Sequence, residues 1–413
     1  MSHAEATWSA AERAARDSYG RLLAWLAYRW RDLAAAEDAL AEAFASALET
    51  WQRDGIPDSP DAWLLTAAKR NLLQMHRHRK VTEDPAVSIL FAEETVTDDF
   101  IAVPDNRLNL MFVCAHPAID VSVRTALMLQ TVLGLDATHI ASAFLVSPSA
   151  MAQRLVRAKS KIRDAGIRFD PPEASELSAR LDAVLDGIYA AFGISWDTLG
   201  GAETTHESLA DEAIFLGRVL LSLLPEEPEV AGLLALMMFS HARRGARLDA
   251  SGLFVPLAEH DTTRWDRAMI MEADTLLLSA SVRHRPGPFQ IEAAIQSAHC
   301  HRLFSGHTPW PAIAQLYQAL VSYSQTAGVA VGHAVAVAEA GNISDALVML
   351  DALPTPIVAN YQPWWVARAH ICQLAGQQFA ARSALGEAIG LTTQDSVRAY
   401  LLKKAGLDSS TAL

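Results

Sequence analysis

The chain has 413 residues, of which 51% are hydrophobic and 20% charged, and a formal net charge of −13 at pH 7. This negative net charge argues against nucleic-acid binding over the whole surface, although it does not exclude a local basic patch. No apolar run reaches the roughly 18 residues that a membrane span needs. The three cysteines are too far apart to imply a disulfide framework, so we expect a cytoplasmic protein of about two to four domains.

Residues 8–80 form the first predicted domain, and its sequence has the spacing of amphipathic helices. Apolar residues recur at helical intervals in SYGRLLAWLAYRWRD and in AAAEDALAEAFASALETW, where the acidic residues lie off the apolar stripe. Gly55 and Pro57 then interrupt the pattern. A last helix, SPDAWLLTAAKRNLLQMHRHRK, starts with Ser59 as N-cap and Pro60 at its first position, and it ends in a basic run.

Residues 81–105 contain seven acidic residues and no Lys or Arg. Seven acids without a compensating cation cannot easily be buried in a core, so the segment is predicted to be an acidic linker.

Residues 106–170 are predicted to form several short helices. Asp136 can cap a helix that runs through Phe144, and Ser147 with Pro148 can begin the next one after a tight turn. In that next helix, residues 147–166, five side chains are basic and one is acidic. Helical geometry places apolar and polar residues on opposite faces. The predicted inner face carries Met151, Leu155, Ala158 and Ile162, and the predicted outer face carries Ser149, Gln153, Arg157 and Ser160, with Arg154 and Lys161 beside them.

Two short helices joined by a tight turn are typical of a helix-turn-helix, whose second helix enters the major groove. Gln can pair bidentately with adenine and Arg with guanine, while Lys side chains more often contact phosphates. The expected base-reading residues are Ser149, Gln153, Arg154 and Arg157, and the expected phosphate contacts are Lys159, Lys161 and Arg163. The alternative is that this helix is an ordinary solvated face, since basic amphipathic helices are common.

Residues 175–413 have a helical pattern throughout. Gly341, Ala346 and Leu350 recur 35 positions later as Gly376, Ala381 and Leu385, a period close to that of tetratricopeptide (TPR) repeats. We therefore divide this part into a helical extension, residues 175–322, and TPR-like repeats, residues 323–405. Stacked repeats form concave surfaces, so a peptide or protein partner is expected there.

The order of these segments resembles the extracytoplasmic-function (ECF) class of bacterial sigma factors, in a subgroup with a long C-terminal extension ending in TPR-like repeats. AEDALAEAFASALETW and AWLLTAAKRNLLQMHRHRK look like region 2, and ALMLQTVLGLDATHIASAFLVSPSAMAQRLVRAKSKIRDAG looks like the region 4 helix-turn-helix. The resemblance implies an all-α protein that binds core RNA polymerase and promoter DNA, with no cofactor and no catalytic residue. It implies polymerase contacts at Asp38 and Glu42, and contacts with the promoter −10 element at Trp63, Lys69, Arg70, Asn71, Arg77 and Arg79.

Two other classes of function stay open at this point. One is a helical-repeat adaptor whose sigma-like half no longer drives transcription. The other is an enzyme in the extension, for which the sequence offers only weak hints: His299–His301 and Cys114 with His116 as metal ligands, and the cluster at 259–267. Consecutive helical residues point about 100° apart, which disfavours a metal site at 299–301, so no metal is expected.

Overall fold

The computed structural model describes residues 3–83, 105–144, 146–169, 172–197 and 203–407. In these residues the regular structure is α-helix and short 3-10 turns, with one isolated antiparallel bridge between Leu248 and Phe254. The predicted all-α fold is confirmed. The chain divides into two compact units, Met1–Ile194 and Ser195–Leu413.

The helices of the first unit begin at the start signals that the sequence predicts. Pro60 and Pro148 are each the first residue of a helix, and Asp136 and Ser147 are N-caps as predicted. Asp120 is a further N-cap, which the sequence analysis did not predict. The predicted linker at 81–105 falls for the most part outside the described residues, although the helix before it continues to Glu83. The helices are α1 (His3–Trp30), α2 (Leu33–Asp54), α3 (Pro60–Glu83), α4 (Arg107–Cys114), α5 (Val121–Leu133), α6 (Ala137–Ala143), α7 (Pro148–Asp164) and α8 (Ala174–Asp197).

Helix α1 lies at the centre of the first unit, because it packs against α2 and α3 and also against α4 and α5. Its apolar stripe includes Leu22, Leu23 and Leu26, which are fully buried. The Ser18 hydroxyl and the Arg21 guanidinium both donate hydrogen bonds to the Asp61 carboxylate at 2.7 Å, which attaches α1 to the start of α3. The predicted region 2 and region 4 segments thus lie in one compact unit.

Helix α8 packs on α4 and α5 in the same unit. A Cβ atom at Gly187 would lie 2.5 Å from the Met128 sulfur and 3.2 Å from Met111 Cε. The glycine therefore lets α8 lie directly on these two side chains. Nearby, Arg180 is buried and donates hydrogen bonds to the Phe112 carbonyl and to Glu176. The core of the predicted helix-turn-helix domain, residues 106–170, therefore includes residues of α8, which follow that domain in the sequence.

The second unit is built around a helix that is buried on all sides. Residues 228–241 are apolar almost throughout, and a helix without a polar face is stable only in a core. Three neighbouring helices cover it. The helices of this unit are α9 (Glu203–Leu223), α10 (Pro228–His241), α11 (Arg267–Ser281), α12 (Pro288–Cys300), α13 (Arg302–Ser305), α14 (Trp310–Val321), α15 (Ala327–Glu339), α16 (Ile343–Asp351), α17 (Thr355–Val358), α18 (Gln362–Leu374), α19 (Gln378–Leu391) and α20 (Asp395–Ala405).

The 35-residue recurrence corresponds to two helical hairpins, α15–α16 and α18–α19. Gly341 and Gly376 lie between the helices of each hairpin with φ of 103° and 74°, a backbone conformation that favours glycine. The residues that recur with them lie at equivalent inner positions of α16 and α19. These residues, Ala346, Leu350, Ala381 and Leu385, are all buried.

We predict that Leu350→Ala will lower the stability of the second unit by about 2–5 kcal/mol, because Leu350 is fully buried and the truncation leaves a cavity. Val348→Ala is the matched control, since Val348 lies on the same helix and is 69% exposed, and it should change the stability by about 0.5 kcal/mol or less. Urea unfolding followed by circular dichroism measures both. Equal losses would contradict the assigned inner face of α16.

Candidate nucleic-acid interface

Helix α7 presents the polar face that its sequence predicts. The Ser147 hydroxyl accepts a hydrogen bond from the Ala150 amide at 3.2 Å, so the helix is capped at its N-terminus. The predicted inner residues Met151, Leu155, Ala158 and Ile162 are at most 5% exposed. The predicted outer residues Ser149, Gln153, Arg154, Arg157 and Lys161 are exposed. Because the basic side chains extend from a helix whose other face is buried, they form one solvent-facing strip.

Helix α6 and the turn after it fix the orientation of α7. The Asp136 carboxylate accepts hydrogen bonds from the Thr138 and His139 amides at 2.8 and 3.0 Å, and it also contacts the His139 ring at 2.5 Å. Burial raises the pKa of Asp136, but these hydrogen bonds outweigh it and hold the pKa below its usual value. Ile140 and Ala141 are buried, and they anchor α6 beneath the turn. The predicted cap at Asp136 and helix end near Phe144 are confirmed.

Lys159 departs from the rest of the α7 strip. Its Nζ atom lies 2.5 Å from Glu37 Oε2 on α2, and the two side chains are only 12% and 19% exposed. This pair brings together residues that are 122 positions apart, and sequence analysis missed Glu37 because helical periodicity relates only near neighbours. Lys159, predicted as a phosphate contact, is thus ion-paired within the chain.

The residues predicted to contact the −10 element lie along α3 in different environments. Arg70 and Arg77 are exposed and seven positions apart, which places them on the same face of the helix. The Asn71 amide donates to the Ala39 carbonyl at 3.2 Å, so it connects α3 to α2. The side chain of Arg79 lies outside the described residues.

The other two members of this set contact aromatic rings. Trp63 is half-buried, and its ring meets that of Trp51 edge-on, with 5.6 Å between centroids. The Lys69 ammonium lies 4.7 Å from the centroid of the Trp25 ring, a cation–π contact. On α2, Asp38 and Glu42 are exposed, four positions apart, and next to the buried residues of the helix. They form a small acidic surface on one side of α2.

The metal-site hints find no support in the described residues, which contain no group of three or more His, Cys, Asp or Glu placed to hold a metal ion. Burial lowers the pKa of His299 to about 3, and its ring lies against Trp310. Cys300 is buried, whereas His301 is exposed, so the three residues at 299–301 do not converge. Cys114 is also buried, and burial raises its pKa to about 12.

Comparisons with known proteins find two family models in the chain and one similar protein. The sigma-70 region 2 model matches residues 16–82, and a family of unknown function, DUF6596, matches residues 180–281. An uncharacterised protein of Rhizobium meliloti (strain 1021) is 38% identical over 379 residues, which are 90% of this chain and 89% of that protein. The chain therefore carries a sigma-70 region 2 domain, and it belongs to one family with that uncharacterised protein. Its particular form joins region 2 to a DUF6596 extension within one chain. No solved structure matches the chain significantly.

Helices of sufficient length and apolarity to cross a membrane do not occur among the described residues.

We predict that Asp136→Ala will lower the stability of the first unit by about 1 kcal/mol, because it removes the N-cap of α6. The folded pKa of Asp136 is depressed, so its contribution is present above the unfolded pKa of about 3.9 and is lost as the pH falls through the folded value. The difference between the variant and the wild type should therefore shrink below about pH 4. Thermal unfolding from pH 3 to 7 measures it.

Asp164→Ala serves as the control, since Asp164 is exposed at the C-terminal end of α7, where a negative charge does not favour the helix. A loss of stability as large as that of Asp136→Ala would contradict the assigned capping role.

Proposed function

We propose that the protein is an ECF-type sigma factor, which recruits core RNA polymerase to specific promoters and is regulated by its own C-terminal extension. The observation that carries this proposal is the presence, in one compact unit, of sigma-70 region 2 and a capped helix with an exposed basic strip. Region 2 implies core RNA polymerase and promoter DNA as partners. The α6–turn–α7 segment would then act as the region 4 helix-turn-helix.

In this proposal α7 reads the −35 element. Its N-terminal half would enter the major groove, where Gln153 and Arg157 can form bidentate hydrogen bonds with bases. Ser149 and Arg154 lie on the same exposed part of the helix. Lys161, about one turn further on, would contact a phosphate, and Lys159 could do so once it leaves Glu37.

Helix α3 would contact the −10 element, and α2 would contact polymerase. Arg70 and Arg77 form the exposed basic edge of α3, suited to the backbone of displaced DNA. Trp63 and Lys69 contact Trp51 and Trp25, so they would act by shaping the surface next to that edge. Asn71 would act in the same way through its hydrogen bond to α2. Asp38 and Glu42 supply the exposed acidic contact for polymerase.

The extension would regulate initiation in the cytoplasm, where RNA polymerase acts, without bond chemistry of its own. In the hairpins α15–α16 and α18–α19, a glycine lies between the two helices, and the residues that follow it at the TPR spacing are buried. This likeness to TPR repeats supports a role in protein interaction. A second candidate function, a repeat adaptor that no longer drives transcription, is favoured by the apolar side chains that this region exposes. Phe379 at the start of α19 is 89% exposed, and Ile357 is 55% exposed.

We predict that the full-length chain will direct run-off transcription by core RNA polymerase from a subset of a promoter pool, whereas core enzyme alone will not. A chain ending after Asp197 is the shortest useful truncation, because α8 packs on α4 and α5. The ratio of transcript from the two chains gives the sign of regulation by the extension. Absence of binding to core polymerase and of transcription would contradict the sigma proposal and favour the adaptor.

We predict that Arg157→Ala will weaken binding to the preferred −35 sequence by about 1–3 kcal/mol and relax specificity at one position, because a base contact is lost. Lys161→Ala should weaken binding to all sequences similarly and reduce the salt dependence, since a phosphate contact is lost. Arg285→Ala, an exposed arginine in the second unit, is the control. Fluorescence anisotropy on selected and scrambled duplexes measures all three. If Arg157→Ala weakens binding to both duplexes equally, Arg157 contacts a phosphate and does not read a base.

A further inference from the structure

A cavity of about 340 Å³ lies in the second unit, between α20 and the irregular segment 249–259. Lys403 and Lys404 of α20 both line it, and they are the only lysines in the sequence from residue 195 to residue 413. The rings of Phe254 and Tyr400 also line the cavity and meet edge-on, with 5.7 Å between centroids. The Lys404 ammonium lies 5.9 Å from the centroid of the Tyr400 ring. The cavity therefore combines an aromatic surface with two cations.

The charges that line this cavity differ in how they are satisfied. Asp249 accepts hydrogen bonds from the Ser251 amide and hydroxyl at 2.8 and 2.7 Å. The hydroxyl bond is the main cause that lowers the pKa of Asp249, and the Lys403 charge contributes less. Glu259 accepts a hydrogen bond from the Tyr400 hydroxyl at 3.2 Å. Both carboxylates are thus hydrogen-bonded within the protein.

The two lysines have no such partner. Both are exposed, and the ion pairs described for the second unit are formed by arginines and histidines, without either lysine. An ammonium group that lines a cavity and has no carboxylate partner can form a charge-assisted hydrogen bond with an incoming anion. The cavity is therefore suited to a ligand that carries carboxylates.

The backbone of Phe254 offers a second kind of contact. Leu248 and Phe254 form an isolated antiparallel bridge, whose two hydrogen bonds, 2.9 and 2.8 Å long, join the residues that flank them. In this pattern the N–H and C=O groups of the paired residues themselves point away from each other. The Leu248 carbonyl accepts a hydrogen bond from the Arg264 guanidinium, whereas the described residues give the Phe254 N–H and C=O no partner. Phe254 therefore forms an open edge that one more extended strand can join.

An extended peptide with acidic side chains matches both features. Its backbone would exchange two hydrogen bonds with Phe254, as in other cases of strand addition. Alternate side chains of an extended strand point to opposite faces, so a carboxylate can reach a lysine while its neighbour packs on the aromatic rings. A nucleic-acid backbone fits this edge less well, because a phosphodiester has no N–H group to donate to the Phe254 carbonyl.

We propose that the cavity between α20 and residues 249–259 binds an extended acidic peptide segment of a protein partner. The peptide pairs with the Phe254 edge and places carboxylates on Lys403 and Lys404. This surface lies outside the hairpins α15–α16 and α18–α19, so it is a further interaction site of the second unit. Peptide binding here goes beyond the proposed function and does not depend on it.

The test uses the full-length chain and a fluorescein-labelled seven-residue peptide in which Glu and Val alternate. When extended, this peptide has carboxylates on one face and apolar side chains on the other. Fluorescence anisotropy should give a Kd below about 100 µM. Two control peptides, one with Lys in place of Glu and one N-methylated at each Val, should bind about tenfold more weakly or worse, since they lose the charge contacts or the backbone hydrogen bond.

The variants Lys403→Gln and Lys404→Gln each remove one cation and keep a long polar side chain. Each should weaken binding of the Glu peptide by about threefold, as expected for an exposed charge pair. Arg382→Gln, which removes an exposed cation of α19, is the matched control and should leave the affinity unchanged. All three residues are exposed, so circular dichroism should show the same helix content in every variant.

Lysine acetylation followed by mass spectrometry locates the peptide in the wild-type chain. Bound peptide should slow the acetylation of Lys403 and Lys404 in proportion to the fraction bound. Lys161, which is exposed in the first unit, is the internal control and should react at its original rate.

Four results would overturn the proposal. The first two are equal binding of the Glu and Lys peptides, and binding that persists when both lysines are replaced. The third is protection of Lys403 and Lys404 by a promoter duplex but not by the peptide, which would assign the cavity to nucleic acid. The fourth is protection that appears without peptide as the protein concentration rises, which would mean that a second copy of the chain covers the cavity. A failure of the chain to support transcription would leave peptide binding unaffected.

Discussion

The close approach of α1 and α5 at Gly20 is the constraint on which the first unit depends. A side chain at this position would occupy the space of the Val132 carbonyl, so only glycine lets the two backbones touch. This contact, together with α1 packing on α2 and α3, sets where α5 lies relative to α2. Since α7 packs on α5, it is brought to α2, and Lys159 reaches Glu37 as a consequence.

The Glu37–Lys159 ion pair favours one orientation of α7 against α2 over others, but it adds little to the net stability of the fold. Two charges that are mostly removed from water lose hydration, and their attraction recovers that loss only in part. Loss of one partner, however, would leave a partly buried charge without compensation, which is strongly unfavourable. The pair therefore penalises other orientations of α7. It also makes the contact sensitive to anything that competes for either charge, such as a phosphate group.

The second unit depends on a different constraint, the burial of α10. At the end of this helix Arg243 is 4% exposed, and its guanidinium lies over the Trp265 ring, as does that of Arg302. Burial lowers the pKa of both guanidinium groups. Arg302 also donates to the His260 carbonyl at 2.8 Å, so the irregular segment between α10 and α11 is attached to α10 and α13 through cations and one aromatic ring.

The sequence alone determined that the chain is helical, where α6 and α7 are capped, and which residues lie on the two faces of α7. The alternation of Met151 and Leu155 with exposed cations is a local pattern with the helical period, and Ser147–Pro148 and Asp136 act on their own helix ends, so no distant residue was needed. Only the tertiary structure decided that Lys159 leaves the strip and that Asn71 binds the Ala39 carbonyl. Those contacts depend on the steric fit at Gly20 and on helix packing between distant segments, which no local periodicity encodes.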